Sequence, residues 1–136
     1  MSVTLSDQDK TTLRTAAYGA VSLMSAAAGA SSPHKVATQG SIALTSATGL
    51  VGHVLAEKSS SVGDLGGKSA AELADRVLPA LTASVALLKK QAPEEADNFR
   101  STVLVAVEAA AGAGKGGPGP ALDAMTRKIT GALDAA

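Results

Sequence analysis

The chain has 136 residues, with 12 basic and 12 acidic side chains and no cysteine. That length makes one ordinary domain, able to bury roughly two thirds of its unfolded surface without a staple. Zero net charge disfavours nucleic acid and polybasic membrane anchoring, which need an excess of Lys and Arg; the missing cysteine removes disulfides, zinc thiolates and thiol catalysis.

The N-terminus reads MSVTLSDQDK, with Asp7 and Asp9 where a secretory leader would be apolar. Together with the absence of cysteine, this predicts a cytoplasmic protein. Ser6 is a good N-cap, and the acids after it suit the positive end of a helix. Leu13, Ala16, Ala17, Ala20, Val21, Met24 and Ala27 then recur at spacings of three and four, one face of a long helix. Residues 15–33 carry no charge, but Ala, Ser and Gly gain little from lipid, so a buried bundle helix is expected and not a membrane span.

Ser32-Pro33 caps and opens a second helix through Val36, Gly40, Ala43, Leu44 and Ala47. Thr48-Gly49 breaks it, and residues 50–55 read as a short apolar turn. SSSVGDLGGK is a loop by composition. Ser69 and Glu72 match a capping box, and the helix after it presents Leu73, Val77, Leu81, Val85 and Leu88, with Pro79 expected to kink it. Pro93-Glu94-Glu95 starts another helix with Phe99, Val103, Ala106, Val107 and Ala110 on one face. Gly112 or Gly114 ends it, and Pro120 starts the last helix, through Leu122, Met125, Ile129 and Leu133. No segment alternates like a strand.

The expectation is an all-α, single-domain antiparallel bundle of about five helices over 1–136, with mobile loops near 58–68 and 112–119. Leu13-Arg14-Thr15 recurs as Phe99-Arg100-Ser101, and Ala20-Val21 as Ala106-Val107, 86 positions on. Val36, Gln39, Ala43 and Ala47 fall on Leu122, Met125, Ile129 and Leu133 in the same shift. Two pseudo-repeated hairpins around the helix of residues 69–91 would produce this pattern.

AAAGAGKGGPGP, residues 109–120, imitates a phosphate-binding loop. That loop needs G-x-x-x-x-G-K-[ST] between a strand and a helix. Here Ala109 stands where the first glycine belongs, Gly116 replaces the magnesium-binding hydroxyl, and a helix precedes. The stretch is read as a helix stop and a loop, and no cofactor is expected. His34 and His53 lie on different elements with no metal-ligand spacing. Glu94, Glu95 and Asp97 are the densest oxygen donors, and hence the metal candidates, although three acids on a first turn also serve the helix dipole. Arg14 and Arg100, each beside an apolar face, and His53 are the candidates for ligand or partner contact; Asp97 lies three residues before Arg100, within reach of it.

Pro-Glu-Glu-Ala-Asp-Asn-Phe-Arg, the Ala/Val helix, Ala-Gly-Lys-Gly-Gly and the closing Ile-Thr-Gly-Ala-Leu resemble the C-terminal part of small helical proteins of high-GC actinobacteria. Their hairpin arrangement is similar to the tellurite-resistance TerB-like domains. That resemblance implies an all-helical fold. It does not carry over a metal site, because the family's acidic Ala-Asp-Gly turn is here Ala28-Gly29-Ala30 and Ala113-Gly114-Lys115. The function expected is non-catalytic: interaction through self-association or a stress-linked protein partner, with a small-ligand or divalent-ion module as the alternative.

Overall fold

The computed structural model describes residues 5–28, 33–56, 70–113 and 120–136. They form α1 (Asp7–Ala28), α2 (Pro33–Thr45), α3 (Gly49–Ala56), α4 (Ala70–Gln91), α5 (Pro93–Ala113) and α6 (Pro120–Asp134). No strand occurs among the described residues, and the class is all-α. Among the described residues the helices number six, because residues 50–55, read as a turn, lie within α3.

Local chemistry sets the helix starts. The Asp9 amide donates to Ser6 Oγ at 3.0 Å, and the Ser6 amide donates back to the Asp9 carboxylate at 3.3 Å. This reciprocal pair satisfies two donors that the first turn would leave open. Proline opens α2, α5 and α6, where its fixed φ is already helical and no amide is missed. Ala92 alone separates α4 from α5: its amide donates to Leu88 O at 2.6 Å and its own carbonyl accepts from Glu95 N at 2.8 Å. One residue therefore ends one helix and begins the next. α4 runs unbroken through Pro79, which lies on the exposed side, where solvent can take over the lost hydrogen bond.

The loops expected at 58–68 and 112–119 lie outside the described residues, except Gly112 and Ala113, which are helical. The glycine stop therefore falls beyond Gly112. Ser69, Lys115 and the Gly29–Ser32 connection also lie outside them.

The periodic faces are buried as read. Leu73, Val77, Leu81, Val85 and Leu88 of α4 enter the core with Phe99, Val103, Ala106, Val107 and Ala110 of α5 and Leu122, Met125, Ile129 and Leu133 of α6. The centre of the bundle differs from the expectation. α1 and α5 each pack against every other helix, whereas α4 packs on α1, α5 and α6 only. Glycines on α1 and α2 permit this crowding. A Cβ built on Gly19 would lie 2.5 Å from Val77 Cγ2, and one on Gly40 would lie 2.8 Å from Val21 Cγ1. The α4 and α2 backbones thus approach α1 at glycine contacts.

The 86-residue shift survives in three dimensions for the long helices. Asp7 maps onto Pro93, and the two helices are 22 and 21 residues long. Leu13, Ala16, Ala17, Ala20, Val21 and Met24 are buried, and so are their counterparts Phe99, Thr102, Val103, Ala106, Val107 and Ala110. The shorter partners turn different faces inward. α6 buries Met125 and Ile129, but the matching Gln39 is exposed and Ala43 half-buried, while Gly40 and Leu44 go in. α2 is thus rotated by about one residue, roughly 100°, relative to its counterpart.

Candidate functional site

The most constrained polar geometry lies where α3 begins. Gly49 has φ of 71°, the left-handed region where a side chain is strained. That turn aims the first amides of α3 at α5. Leu50 N donates to Glu95 Oε1 at 2.5 Å, and Val51 N donates to the same oxygen at 3.3 Å. Asn98 Nδ2 donates to Thr48 O at 2.9 Å and to Glu95 Oε2 at 3.1 Å. A carboxylate 45 residues away therefore does the work of an N-cap: it satisfies orphan amides and faces the positive helix end. A Cβ at Gly49 would sit 2.7 Å from Glu95 Oε1, so a side chain there would be strained by its φ and would also push on the capping carboxylate.

Beside this clamp, the C-terminal half of α2 and the N-terminal half of α5 enclose a hollow of about 210 Å³. Ala43, Ser46, Ala47 and Thr48 line one wall, and Asn98, Ser101, Thr102 and Val105 the other. Val105 is 56% exposed at its rim. Ile42, one turn before Ser46, is 53% exposed, and these two are the large apolar side chains left in solvent among the described residues. No Asp, Glu, Lys or Arg occurs from residue 36 to 56 or from 101 to 107. Both walls are therefore uncharged in a protein with 24 charged residues. Hydroxyl-bearing and small side chains dominate, and the hydroxyl of Ser46 in the wall, like that of neighbouring Thr45, is already satisfied by the α2 backbone. Ser46 Oγ donates to Ile42 O at 3.0 Å and Thr45 Oγ1 to the same carbonyl at 2.8 Å.

The residues singled out in the sequence do not converge. Glu94 and Asp97 are exposed on α5 and point away from the half-buried Glu95, whose carboxylate is engaged by α3. Among the described residues no three His, Asp or Glu side chains are grouped to hold a metal ion. Arg14 is 4% exposed and lies in the core, held by polar interactions. Its counterpart Arg100 is partly exposed and donates through Nε to Asp134 Oδ1 at 2.8 Å, a bridge to α6 and not to Asp97. His53 is exposed on α3.

Two further polar ties fix the bundle ends. Tyr18 Oη donates to Leu55 O at 3.0 Å, closing α3 on α1, and burial raises the Tyr18 pKa. Gln91 Nε2 donates to Asp9 Oδ2 at 3.2 Å. That bond, against the opposing effect of burial and with help from Ser6, holds the Asp9 carboxyl below its usual range.

Reading the sequence for motifs missed the hollow altogether, because none of its residues belongs to a catalytic or ligand-binding motif. The signal it did contain was the uncharged run from Val36 to Ala56. Among the described residues no helix is long and apolar enough to cross a membrane. No family model, curated protein or solved structure matches the chain.

Proposed function

We propose that this chain is a non-catalytic interaction protein that docks through the outer face of α2 and α5. The observation that carries this reading is the exposure of Val105 at the rim of a hollow whose lining holds no charged side chain, with Ile42 also exposed one turn before Ser46 of its wall. Interface centres are depleted in charge and enriched in apolar contact, whereas ordinary surface is not. The hollow beside Val105 supplies relief for a partner to fill.

A divalent-ion module built on Glu94, Glu95 and Asp97 has less support, since the Glu95 carboxylate is occupied by the α3 amides. The interaction reading is tested by placing a photo-crosslinking residue at Val105 in cells of the native host, with Lys128, exposed on α6, as the control position. Adducts from position 105 and none from 128 are expected. Equal labelling from both positions, or none from 105, overturns the reading.

A further inference from the structure

We infer that the hollow between α2 and α5 binds a small uncharged molecule with a hydrogen-bond donor and acceptor on one edge and an apolar body, of the lactam or simple carboxamide class. This stands on polar atoms inside the hollow and not on the apolar side chains at its rim. It can therefore fail without the interaction reading, and the reverse.

The carrying observation is Thr102. It is only 9% exposed, yet its hydroxyl has no hydrogen-bond partner among the described residues. Its oxygen is not sealed off, and the hollow that Thr102 lines is where it opens. A helical Thr or Ser ordinarily turns its hydroxyl back to the carbonyl four residues earlier. Thr11, Thr12, Ser84, Thr126 and Thr130 all do so, at 2.7–2.9 Å. Thr102 does not, and neither does Ser101 beside it.

The hollow between α1 and α4, about 290 Å³, supplies the contrast. It is as open, but the hydroxyls of Thr11 and Thr12 in its wall are spent on Asp7 O and Gln8 O, and Thr15 is engaged as well. Openness is common to the two hollows; unspent hydroxyls distinguish one.

The lining sets the class of ligand. Asn98, Ser101, Thr102 and Val105 recur at helical spacing and share one side of α5. Asn98 spends its amide hydrogens on Thr48 O and Glu95 Oε2, which leaves its Oδ1 as an acceptor, while the two hydroxyls can donate or accept. The α2 wall opposite is apolar at Ala43 and Ala47, and the Ser46 hydroxyl there is spent. A fitting ligand turns a donor and an acceptor to α5 and carbon to α2. No charged side chain lines the hollow, and exposed Glu94, Asp97 and Glu108 on the same helix disfavour an anion. At about 210 Å³ the space is smaller than the roughly 300–1,000 Å³ of a drug-sized pocket. A single small ring fills it. Water can serve the same hydroxyls, so a ligand must reproduce those bonds to displace it.

The test is a titration of the full chain with 2-piperidone up to about 200 mM, followed by amide chemical shifts. Saturable shifts are expected at Ala47, Asn98, Ser101 and Thr102 and not at Thr11 or Thr12, with a dissociation constant on the order of millimolar. Thr102→Val removes the hydroxyl and breaks no bond within the chain. It should raise that constant at least about fivefold, and Thr102→Ser should restore it. Circular dichroism checks the fold, and Ser101→Ala, at an exposed position, replaces Thr102→Val if that variant melts early. N-methyl-2-piperidone, which lacks the donor, should bind more weakly, and valerate more weakly still. Shifts that do not saturate, equal shifts at Thr11 and Thr12, unchanged affinity without the hydroxyl, or valerate binding as tightly as the lactam would each overturn the proposal.

Discussion

Gly19 of α1 lies directly beneath Val77 of α4, so close that a Cβ on the glycine would stand 2.5 Å from Val77 Cγ2 and 3.1 Å from Cγ1. Alanine is the better helix former by about 1 kcal/mol, so Gly19→Ala would be stabilising on propensity alone. The clash decides the sign. Val77 is fully buried and β-branched, so it has no free rotamer to move into. Gly19→Ala is expected to destabilise by about 1–3 kcal/mol in urea unfolding. The double variant with Val77→Ala should recover part of that loss. Additive losses in the double variant would show that the two residues are not coupled.

Glu95 carries the start of α3. Removing its side chain leaves two amides without an acceptor, worth about 1–2 kcal/mol. Glu95→Ala should therefore lower stability by that amount and speed hydrogen exchange at the Leu50 and Val51 amides first. Glu95→Gln keeps an acceptor oxygen and should lose less than half as much. Exchange that quickens equally across all helices in Glu95→Ala would deny the capping role.

The same contact shows where sequence reading stops. The faces of α4, α5 and α6 were legible because a 3.6-residue period repeats over several turns, and Ser6, Pro33, Pro93 and Pro120 marked starts by local chemistry. α3 was not legible. Its eight residues are nearly all apolar, so no period appears, and its cap is a carboxylate on another helix. Nor could a local pattern place Arg14 in the core and Arg100 at the rim, since both stand in the same sequence context. Their fates depend on which helices flank them. α1 and α5 share buried positions, yet α4 covers only one of the two outer faces. The open hollow beside Val105 follows from that tertiary difference, which no spacing records.

The two arginines should respond very differently to truncation. Arg14 is 4% exposed, and its loss removes packed methylenes and strands whatever polar groups it holds. Arg14→Ala should cost about 2–4 kcal/mol. Arg100 and Asp134 have side chains 40% and 53% exposed. Water screens such a pair, and Arg100→Ala should cost less than about 1 kcal/mol. Equilibrium urea unfolding of both variants measures the contrast, and equal losses would mean that the buried position confers no special role.

Acid should weaken the α1–α4 tie. The Asp9 pKa is lowered, chiefly by the hydrogen bond from Gln91. A carboxyl depressed in the folded state contributes stability above its unfolded value, about 3.9. That contribution is lost as pH falls through the depressed folded value. Asp9→Asn should therefore be less stable than the parent near neutrality and converge on it as pH falls through the depressed folded value. Urea midpoints measured across that range give the comparison, and a gap that widened on acidification would reverse the assignment.

At the alkaline end the controlling group is Tyr18. Burial, which disfavours the charged phenolate, raises its pKa above the ordinary value of 10.0, and the neutral phenol donates to Leu55 O. A raised folded value means that the contribution is complete below the unfolded pKa of about 10 and falls as pH rises through the folded one. Tyr18→Phe should lose about 1 kcal/mol at neutral pH. It should also lack this part of the alkaline decline. With one tyrosine and no tryptophan in the chain, phenolate absorbance follows this single site in the parent protein. Its midpoint should lie above that of the urea-unfolded chain. A midpoint at or below the unfolded value would mean that the phenol is solvated and that α3 is not closed on α1 through this bond.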